Sequence, residues 1–261
     1  MITAASNSRI KRLVQLNQKS KLRRTEDVFL AEGVKMFLEA PREQLQEVYV
    51  SESFLEKCSC REHLEEVGYE VVSDSVFSKI SDTCTPQGVL CVLKQFHYNI
   101  EEMLRDKAPL FLLLENIQDP GNLGTMLRTG EGAGVSGIIM SRDTVDLYNP
   151  KVIRSTMGSI YRVPFYYADD FAAAGHQVQR AGVSVYAAHL RGKNSYACQD
   201  YTKGTAFLIG NEGNGLREET AELADCYIRI PMEGKVESLN AAVASSILMY
   251  EAHRQRATIE K

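Results

Sequence analysis

The residues best placed for chemistry follow a run of apolar residues, Pro109–Leu114. The next segment, Asn116–Arg128, reads N-I-Q-D-P-G-N-L-G-T-M-L-R. The run predicts a buried strand, and the carboxyl ends of such strands bind ligands in α/β proteins. Asp119–Asn122 predicts a turn and a helix cap, and Gly124 lets another group approach the first helical turn. Arg128 shares a helical face with Gly124, where a guanidinium suits a phosphate; the alternative is an ordinary surface arginine.

A second loop follows another predicted buried strand. Phe207–Leu216 ends in alternating glycines at Gly210, Gly213 and Gly215. Because glycine permits unusual backbone conformations, this loop is predicted to turn backbone groups toward a ligand. Three roles are open to Glu212: accepting hydrogen bonds, offsetting positive charge, or capping the helix that follows.

A third loop, Ile230–Asn240, joins a predicted strand to the final helix. Ser238 has the side chain of a natural N-cap, so the helix is expected to begin there and to run to about Arg256.

Together the three loops resemble the signature motifs of the SpoU/TrmH ribose 2′-O-methyltransferases, in the SPOUT superfamily. The resemblance covers about residues 109–256. It implies a parallel α/β catalytic domain with a C-terminal trefoil knot, and S-adenosylmethionine as cofactor without a metal. The implied cofactor-binding residues are Ile209, Gly210, Gly213, Ile230, Met232 and Leu239. The implied catalytic residues are Asn116, Arg128, Glu212, Ser238 and Asn240.

The same resemblance implies how these side chains would act on RNA. Proposals for the family make this arginine a general base, but a guanidinium stays protonated in proteins, so Arg128 is instead expected to bind a phosphate of the target nucleotide. Asn116 and Asn240 would orient the ribose and the loop, while Glu212 and Ser238 would shape the site. Members of the family work as homodimers, so a second copy of the chain is expected as a partner.

The elements that must position these loops alternate between β-rich runs and helical periodicity. This alternation predicts an α/β fold of parallel sheets with crossover helices. A basic helix is predicted near Asn7–Leu22. Strands are predicted near 28–31, 47–50, 70–72, 88–93, 136–140, 163–167, 183–188, 205–209 and 226–230.

A predicted linker divides the chain into two domains. Residues 97–107 lose the alternation, which places a small α/β domain at 1–96 and the catalytic domain at 108–261. Phe29–Gly33 and Thr85–Val89 resemble the RNA substrate-binding domain of rRNA-modifying family members. The resemblance therefore favours 23S rRNA as substrate, with a tRNA methyltransferase or a non-catalytic RNA-binding protein as the alternatives.

The charge of the chain is unevenly distributed. The 261 residues carry a formal net charge of −4, yet residues 1–25 contain seven basic residues and no acidic one. This basic segment is predicted to contribute salt-dependent RNA affinity.

The N-terminus lacks the apolar core of a secretory signal, and the apolar runs are too short for a bilayer span, so a cytoplasmic protein without a membrane partner is expected.

One further pattern, Gly132-x-Gly134-x-x-Gly137, matches a dinucleotide-binding fingerprint. Its context has the wrong polarity, because a predicted helix precedes the glycines and a predicted strand follows them. The glycines are therefore predicted to end a helix, which disfavours an NAD-dependent dehydrogenase.

Overall fold

The computed structural model describes residues 1–235 and 238–259, in which helices and strands alternate along the chain. The helices are α1 Ser8–Gln18, α2 Ser20–Glu26, α3 Val34–Leu38, α4 Glu52–Lys57, α5 Arg61–Val67, α6 Asp74–Ile80, α7 Ile100–Met103, α8 Pro120–Ala133, α9 Pro150–Thr156, α10 Phe171–Arg180, α11 Glu218–Ala221 and α12 Ala241–Ile259. The strands are β1 Val28–Glu32, β2 Leu45–Ser51, β3 Glu70–Val72, β4 Val89–Lys94, β5 Leu110–Leu114, β6 Gly137–Ser141, β7 Phe165–Ala168, β8 Ser184–Ala188, β9 Asn194–Ser195, β10 Thr205–Ile209 and β11 Cys226–Arg229.

Two sets of residues form separate compact units. The first unit comprises Met1–Phe96 together with Asp146–Tyr161, and the second comprises His97–Val145 together with the chain from Arg162 onward. The segment 146–161, which includes α9, therefore groups with the first unit although it lies far along the chain. Helix α9 packs on β1, and the Tyr161 hydroxyl donates a hydrogen bond to the carbonyl of Met36 at 3.0 Å.

The first unit contains a four-stranded mixed sheet. Its order is β1-β4-β2-β3; β4 runs antiparallel to β1 and β2, and β2 runs parallel to β3. The expectation of parallel sheets is wrong for this unit, because alternation of helices and strands along a chain does not by itself fix the direction of each strand.

The N-terminal basic helix is two helices. Asn7 caps α1 by accepting a hydrogen bond from the Arg9 amide, and Ile10, Leu13 and Leu16 bury one face. Lys19 has an extended backbone and separates α1 from α2. The prediction of one helix over 7–22 is therefore wrong at this residue.

The second unit contains a seven-stranded parallel sheet of order β7-β6-β5-β10-β8-β11-β9. The central strands β5 and β10 are buried along their whole length, which explains their continuous apolar sequence. In their register Leu114 pairs with Ile209, so both strands end at the same edge of the sheet. The predicted strands of both units are confirmed to within about two residues, and the two-residue strand β9 was not predicted.

The helices that follow the first and third loops, α8 and α12, begin at polar caps. Asp119 accepts a hydrogen bond from the Asn122 amide at the start of α8, as predicted. Asn240, not Ser238, caps α12, because the Asn240 carboxamide oxygen accepts from the amides of Ala242 and Val243. The predicted start at Ser238 is therefore wrong.

The glycine fingerprint ends a helix, as predicted. Gly134 adopts the left-handed conformation, with a φ of 76°, directly after α8, and Gly137 begins β6. Among the described residues, none of the helices combines the length and the hydropathy that crossing a bilayer requires.

Candidate functional site

A cavity of about 290 Å³ lies in the second unit, at the carboxyl ends of β8, β10 and β11. All six predicted cofactor-binding residues line it: Ile209, Gly210, Gly213, Ile230, Met232 and Leu239. Two of the predicted catalytic residues, Glu212 and Ser238, also line it. The three loops singled out in the sequence are thus not equivalent, since the second and third form the cavity.

The second loop folds back on itself at the cavity. Asn211 and Gly215 exchange two backbone hydrogen bonds, at 3.0 and 2.9 Å, and the Asn211 side chain accepts from the amides of Gly213 and Asn214. At Gly210 a Cβ atom would lie 2.3 Å from the Gly215 carbonyl carbon, so only glycine permits this crossing of the backbone.

Glu212 ties the second loop to the first. Its carboxylate accepts hydrogen bonds from the backbone amides of Gln118 and Asp119, both at 3.1 Å, and from the Asn122 side chain at 2.9 Å. Burial raises the pKa of Glu212, but the hydrogen bonds from Asn122 and the backbone amides outweigh it and hold the pKa below its ordinary value. Of the three roles open to this residue, accepting hydrogen bonds is the one observed.

Asn116 has a strained backbone held by neighbouring loops. Its φ of 52° lies in the left-handed region, which asparagine tolerates better than most residues. The Asn116 amide donates to the Ser141 hydroxyl at 2.8 Å, and its carbonyl accepts from the Asn211 side chain at 2.8 Å. The Asn116 side-chain oxygen accepts from Gln118 at 2.5 Å.

Asn240 connects the third loop to the first. Its amide nitrogen donates to the Asn122 side-chain oxygen at 2.9 Å, while its oxygen caps α12. Asn122 therefore bonds both Glu212 and Asn240, which brings all three loops together at one side chain. Neither Asn116 nor Asn240 lines the cavity.

We call this contact of the three loops at Asn122, Glu212 and Asn240 the loop junction. Arg128 lies outside it. It lies on an exposed face of α8, six residues and roughly 9 Å of helix rise beyond Asn122. Within the described part of the chain, its guanidinium makes no hydrogen bond or ion pair. Of the five predicted catalytic residues, Arg128 alone is a charged group left available to a ligand.

A buried carboxylate escaped the sequence analysis. Glu115 follows β5 and is only 1% exposed, and it accepts hydrogen bonds from the Arg217 amide and the Thr220 hydroxyl. The Arg217 guanidinium also contacts Glu115 and Asp143. An acidic residue directly after an apolar run was the signal available, since a buried charge needs partners.

The end of β8 was also missed as part of the cavity. Ala188, His189 and Leu190 line it from the third of the parallel strands that end there. The alignment of strand ends at one sheet edge could have indicated this contribution, but only once the strand order was known.

A parallel α/β sheet with a preformed cavity at the carboxyl ends of its strands is typical of enzymes that bind a nucleotide-like cofactor. Comparison with known proteins defines the class further. Residues 109–250 match the SpoU rRNA methylase family, and residues 7–91 match the MRM3-like substrate-binding domain. The chain belongs to the SpoU rRNA methylase family, whose members are S-adenosylmethionine-dependent RNA 2′-O-methyltransferases.

A relative and two solved structures resemble the chain over nearly its whole length. The 23S rRNA (guanosine(2553)-2′-O)-methyltransferase RlmP of Bacillus subtilis is 33% identical over 252 residues, covering 95% of this chain and 97% of that protein. The S-adenosylmethionine-bound rRNA methyltransferase of Sinorhizobium meliloti has a TM-score of 0.84 at 31% identity, with 97% of each chain covered. The SpoU methyltransferase AviRb of Streptomyces viridochromogenes, in complex with the same cofactor, has a TM-score of 0.87 at 26% identity over 97% of this chain and 99% of that one.

The cavity has the chemistry that S-adenosylmethionine requires. Its walls combine apolar side chains such as Ile209, Ile228 and Leu239 with the turned backbone of the second loop. Apolar walls suit the adenine ring, and backbone groups exposed by the glycines suit its polar edge. Gly210 keeps the second loop folded against this cavity, because a larger residue there would collide with the backbone of Gly215 and push the loop away.

Proposed function

We propose that this chain transfers a methyl group to a ribose 2′-hydroxyl of 23S rRNA, on a guanosine, in the cytoplasm. The observation that carries this proposal is that all six predicted cofactor residues line one cavity, which we therefore take as the reaction site. The likeness to RlmP over 95% of the chain supports the RNA class and the nucleotide.

The reaction forms a bond between the ribose 2′-oxygen and the methyl carbon, and breaks the bond between that carbon and sulfur. S-adenosylmethionine, when bound, supplies a methyl group on a cationic sulfur that leaves as a neutral thioether. The protein therefore has to supply position more than acid–base chemistry, and positioning contributes about 7–11 kcal/mol in well-oriented systems. The residues proposed to hold the cofactor are Ile209, Gly210, Gly213, Ile230, Met232 and Leu239.

Arg128 is the proposed phosphate ligand for the target nucleotide. Its guanidinium is exposed and has no partner within the described residues, so it is free to form a bidentate contact with a phosphate. A guanidinium keeps its proton at any physiological pH, which argues against a role as the base.

Glu212 is proposed as a positioning residue rather than a base. Three donors already occupy its carboxylate, and its lowered pKa makes proton uptake unfavourable near neutral pH. Asn116 and Asn240 act with it by holding the first and third loops at the cavity. Ser238 contributes a hydroxyl to the cavity wall. The proton of the 2′-hydroxyl passes to water.

The first unit is proposed to bind the RNA substrate, as its match to the MRM3-like substrate-binding domain suggests. Its N-terminal basic residues are not all available for this. Arg9 pairs with Glu70, and Arg12 pairs with Glu26 and Glu47. Arg23 is buried and pairs with Asp146. Of the seven basic residues in 1–25, those left exposed without an ion pair to a described residue are Lys11, Lys19, Lys21 and Arg24.

The working form is proposed to be a homodimer that pairs through α12. Much of the apolar surface of this helix is buried within the chain, but Val243 and Tyr250 are 48% and 50% exposed. They lie seven residues apart and hence on one face of the helix. Light scattering of the unsubstituted protein is expected to give twice the mass of one chain. A Tyr250→Asp variant is expected to give the mass of a single chain. A single-chain mass for the unsubstituted protein would refute the dimer.

The experiment that tests the proposed function uses deproteinised 23S rRNA and tRNA from cells that lack the protein. Each RNA is incubated with the purified chain and S-adenosylmethionine carrying a labelled methyl group, and 2′-O-methyl positions are then mapped. We expect label at one guanosine of 23S rRNA. Label in tRNA alone would overturn the substrate, and RNA binding without label in either RNA would favour a non-catalytic RNA-binding protein.

A further inference from the structure

A second depression adjoins the cofactor cavity at the edge of the sheet. It has a volume of about 570 Å³ and carries three basic side chains, Arg191, Lys193 and Arg229. We call it the basic basin. Among residues 1–235 and 238–259, no acidic side chain lines it.

The basin shares a wall with the cofactor cavity. Leu190, Arg229 and Met232 line both depressions. Leu190 is 61% exposed, so an apolar surface leads from one to the other. A ligand in the basin would therefore lie directly beside whatever occupies the cavity.

The local fold holds the basin in place. His189 donates its amide to the carbonyl of Ile228 at 3.0 Å, and the Gly192 amide donates to the carbonyl of His189 at 2.9 Å. A Cβ at Gly192 would lie 2.8 Å from the Ile228 carbonyl, so this turn packs directly on β11. The ring of His189 also fixes the turn, because its Nδ1 accepts from the Arg191 amide at 3.1 Å.

The pairing of β9 with β11 sets the positions of Lys193 and Arg229 in the basin. Arg229 pairs in register with Ser195, and Lys193 directly precedes β9. Arg191 is partly neutralised by Glu218, whose carboxylate lies 2.9 Å away. Lys193 and Arg229 have no ion pair among the described residues. Bringing like charges together costs free energy, which a bound anion would offset.

We propose that the basic basin binds a phosphate of the RNA backbone next to the nucleotide that is methylated, with Lys193 and Arg229 as its ligands. This inference rests on the proposed function. A ribose whose 2′-oxygen reaches the cofactor has a phosphate on either side, and a basin that shares a wall with the cofactor cavity lies where such a phosphate must pass. Arg128, on α8, would bind a different phosphate.

The test compares a Lys193→Ala/Arg229→Ala double variant with a matched Lys203→Ala/Arg180→Ala control. Lys203 and Arg180 are exposed and precede β10 and β8, at the amino ends of the strands. In full-length protein at 150 mM salt, we expect the basin variant to raise KM for 23S rRNA about tenfold. The Lys193→Ala single variant, whose residue lines the basin and not the cofactor cavity, should leave S-adenosylmethionine affinity within about twofold. Loss of this one phosphate contact should also reduce the slope of log affinity against log salt by about 0.7. A Lys193→Arg variant should keep the affinity of the unsubstituted protein.

The possible results separate this inference from the function on which it rests. Failure of the unsubstituted protein to methylate RNA would overturn the proposed function. Methylation with equal KM in the basin variant and the control would overturn the basin alone. An equal loss of cofactor affinity and RNA affinity in the Lys193→Ala single variant would also overturn it, because the basin would then bind the carboxylate of the cofactor.

Discussion

The loop junction of the second unit and the N-terminal helices of the first unit are both rich in polar or charged side chains, yet they use them differently. At the junction, Asn116, Glu212 and Asn240 all bond to other loops, and the exposed Arg128 lies outside the network. In the N-terminal helices, three of seven basic side chains are held in ion pairs and four are exposed. Polar and charged side chains in both regions thus divide into groups that hold the local structure together and groups that remain for a ligand.

The largest effect is expected at Arg128. An Arg128→Ala variant should lose methylation by at least about 100-fold, because the target phosphate would no longer be held in position. Cofactor affinity should stay within a few fold, since Arg128 does not line the cavity. Methyl transfer and isothermal titration measure the two quantities. An Arg180→Ala variant is the exposed control. An equal loss of methylation and of cofactor affinity in the Arg128 variant would contradict a role for Arg128 confined to the RNA phosphate.

The next effect should be on stability, at Arg23. This side chain is 3% exposed, donates to the carbonyl of Leu16 at 2.6 Å and pairs with Asp146 at 2.5 Å. Its removal would leave a partly buried carboxylate unpaired, and we expect a loss of about 3 kcal/mol in the free energy of unfolding. Denaturant titration of Arg23→Ala against Arg24→Ala, the exposed neighbour, measures it. Equal stability of the two variants would show that the ion pair of Arg23 does not stabilise the fold.

A smaller effect is expected at Glu212. The Glu212→Gln variant keeps one oxygen but turns an NH₂ group toward donors, so about 1–3 kcal/mol should be lost from the loop junction. We expect weaker cofactor binding, by about tenfold, with the pH dependence of methylation near neutrality unchanged. Glu222→Gln, at an exposed residue, serves as control. A loss of the pH dependence itself would instead make Glu212 the base.

The four exposed N-terminal cations should have a graded effect on RNA affinity. Replacing all of them with alanine should reduce the slope of log affinity against log salt by about 0.7 for each lost contact with a single-stranded phosphate. Filter binding at several salt concentrations measures it. The replaced residues are Lys11, Lys19, Lys21 and Arg24. A control variant with the same charge change replaces Lys57, Arg61, Lys79 and Lys94. A larger change of the slope in the control would mean that RNA binds at these residues rather than at the N-terminal cations.

The smallest effect is a pH dependence of stability. Because the pKa of Glu212 is lowered in the folded protein, its contribution to stability is present above its ordinary value of 4.5 and is lost as pH falls through the folded-state value. The difference in unfolding free energy between the unsubstituted protein and Glu212→Gln should therefore shrink with acidification. A difference that grows below pH 4.5 would contradict the observed network.

The order of strands along the chain and the cavity-lining loops were predictable, because buried strands are continuous apolar runs and glycine-rich loops follow them. The cap of α12 was not, since both Ser238 and Asn240 have suitable side chains and only the observed bonds of Asn240 decide between them. Nor were the partners of Glu115 and Arg23, because the residues that neutralise them lie about a hundred positions away. The trefoil knot stays a prediction from the family resemblance.

The grouping of residues 146–161 with the first unit has a consequence for how the chain can be cut. The match to the SpoU family begins at residue 109, yet α9, inside that match, packs on β1. A fragment that starts after the linker would carry Val152 and Ile153 of α9, both buried in the full chain, without the strand β1 on which α9 packs. Such a fragment should aggregate, so the two family matches do not mark two pieces that can be expressed apart.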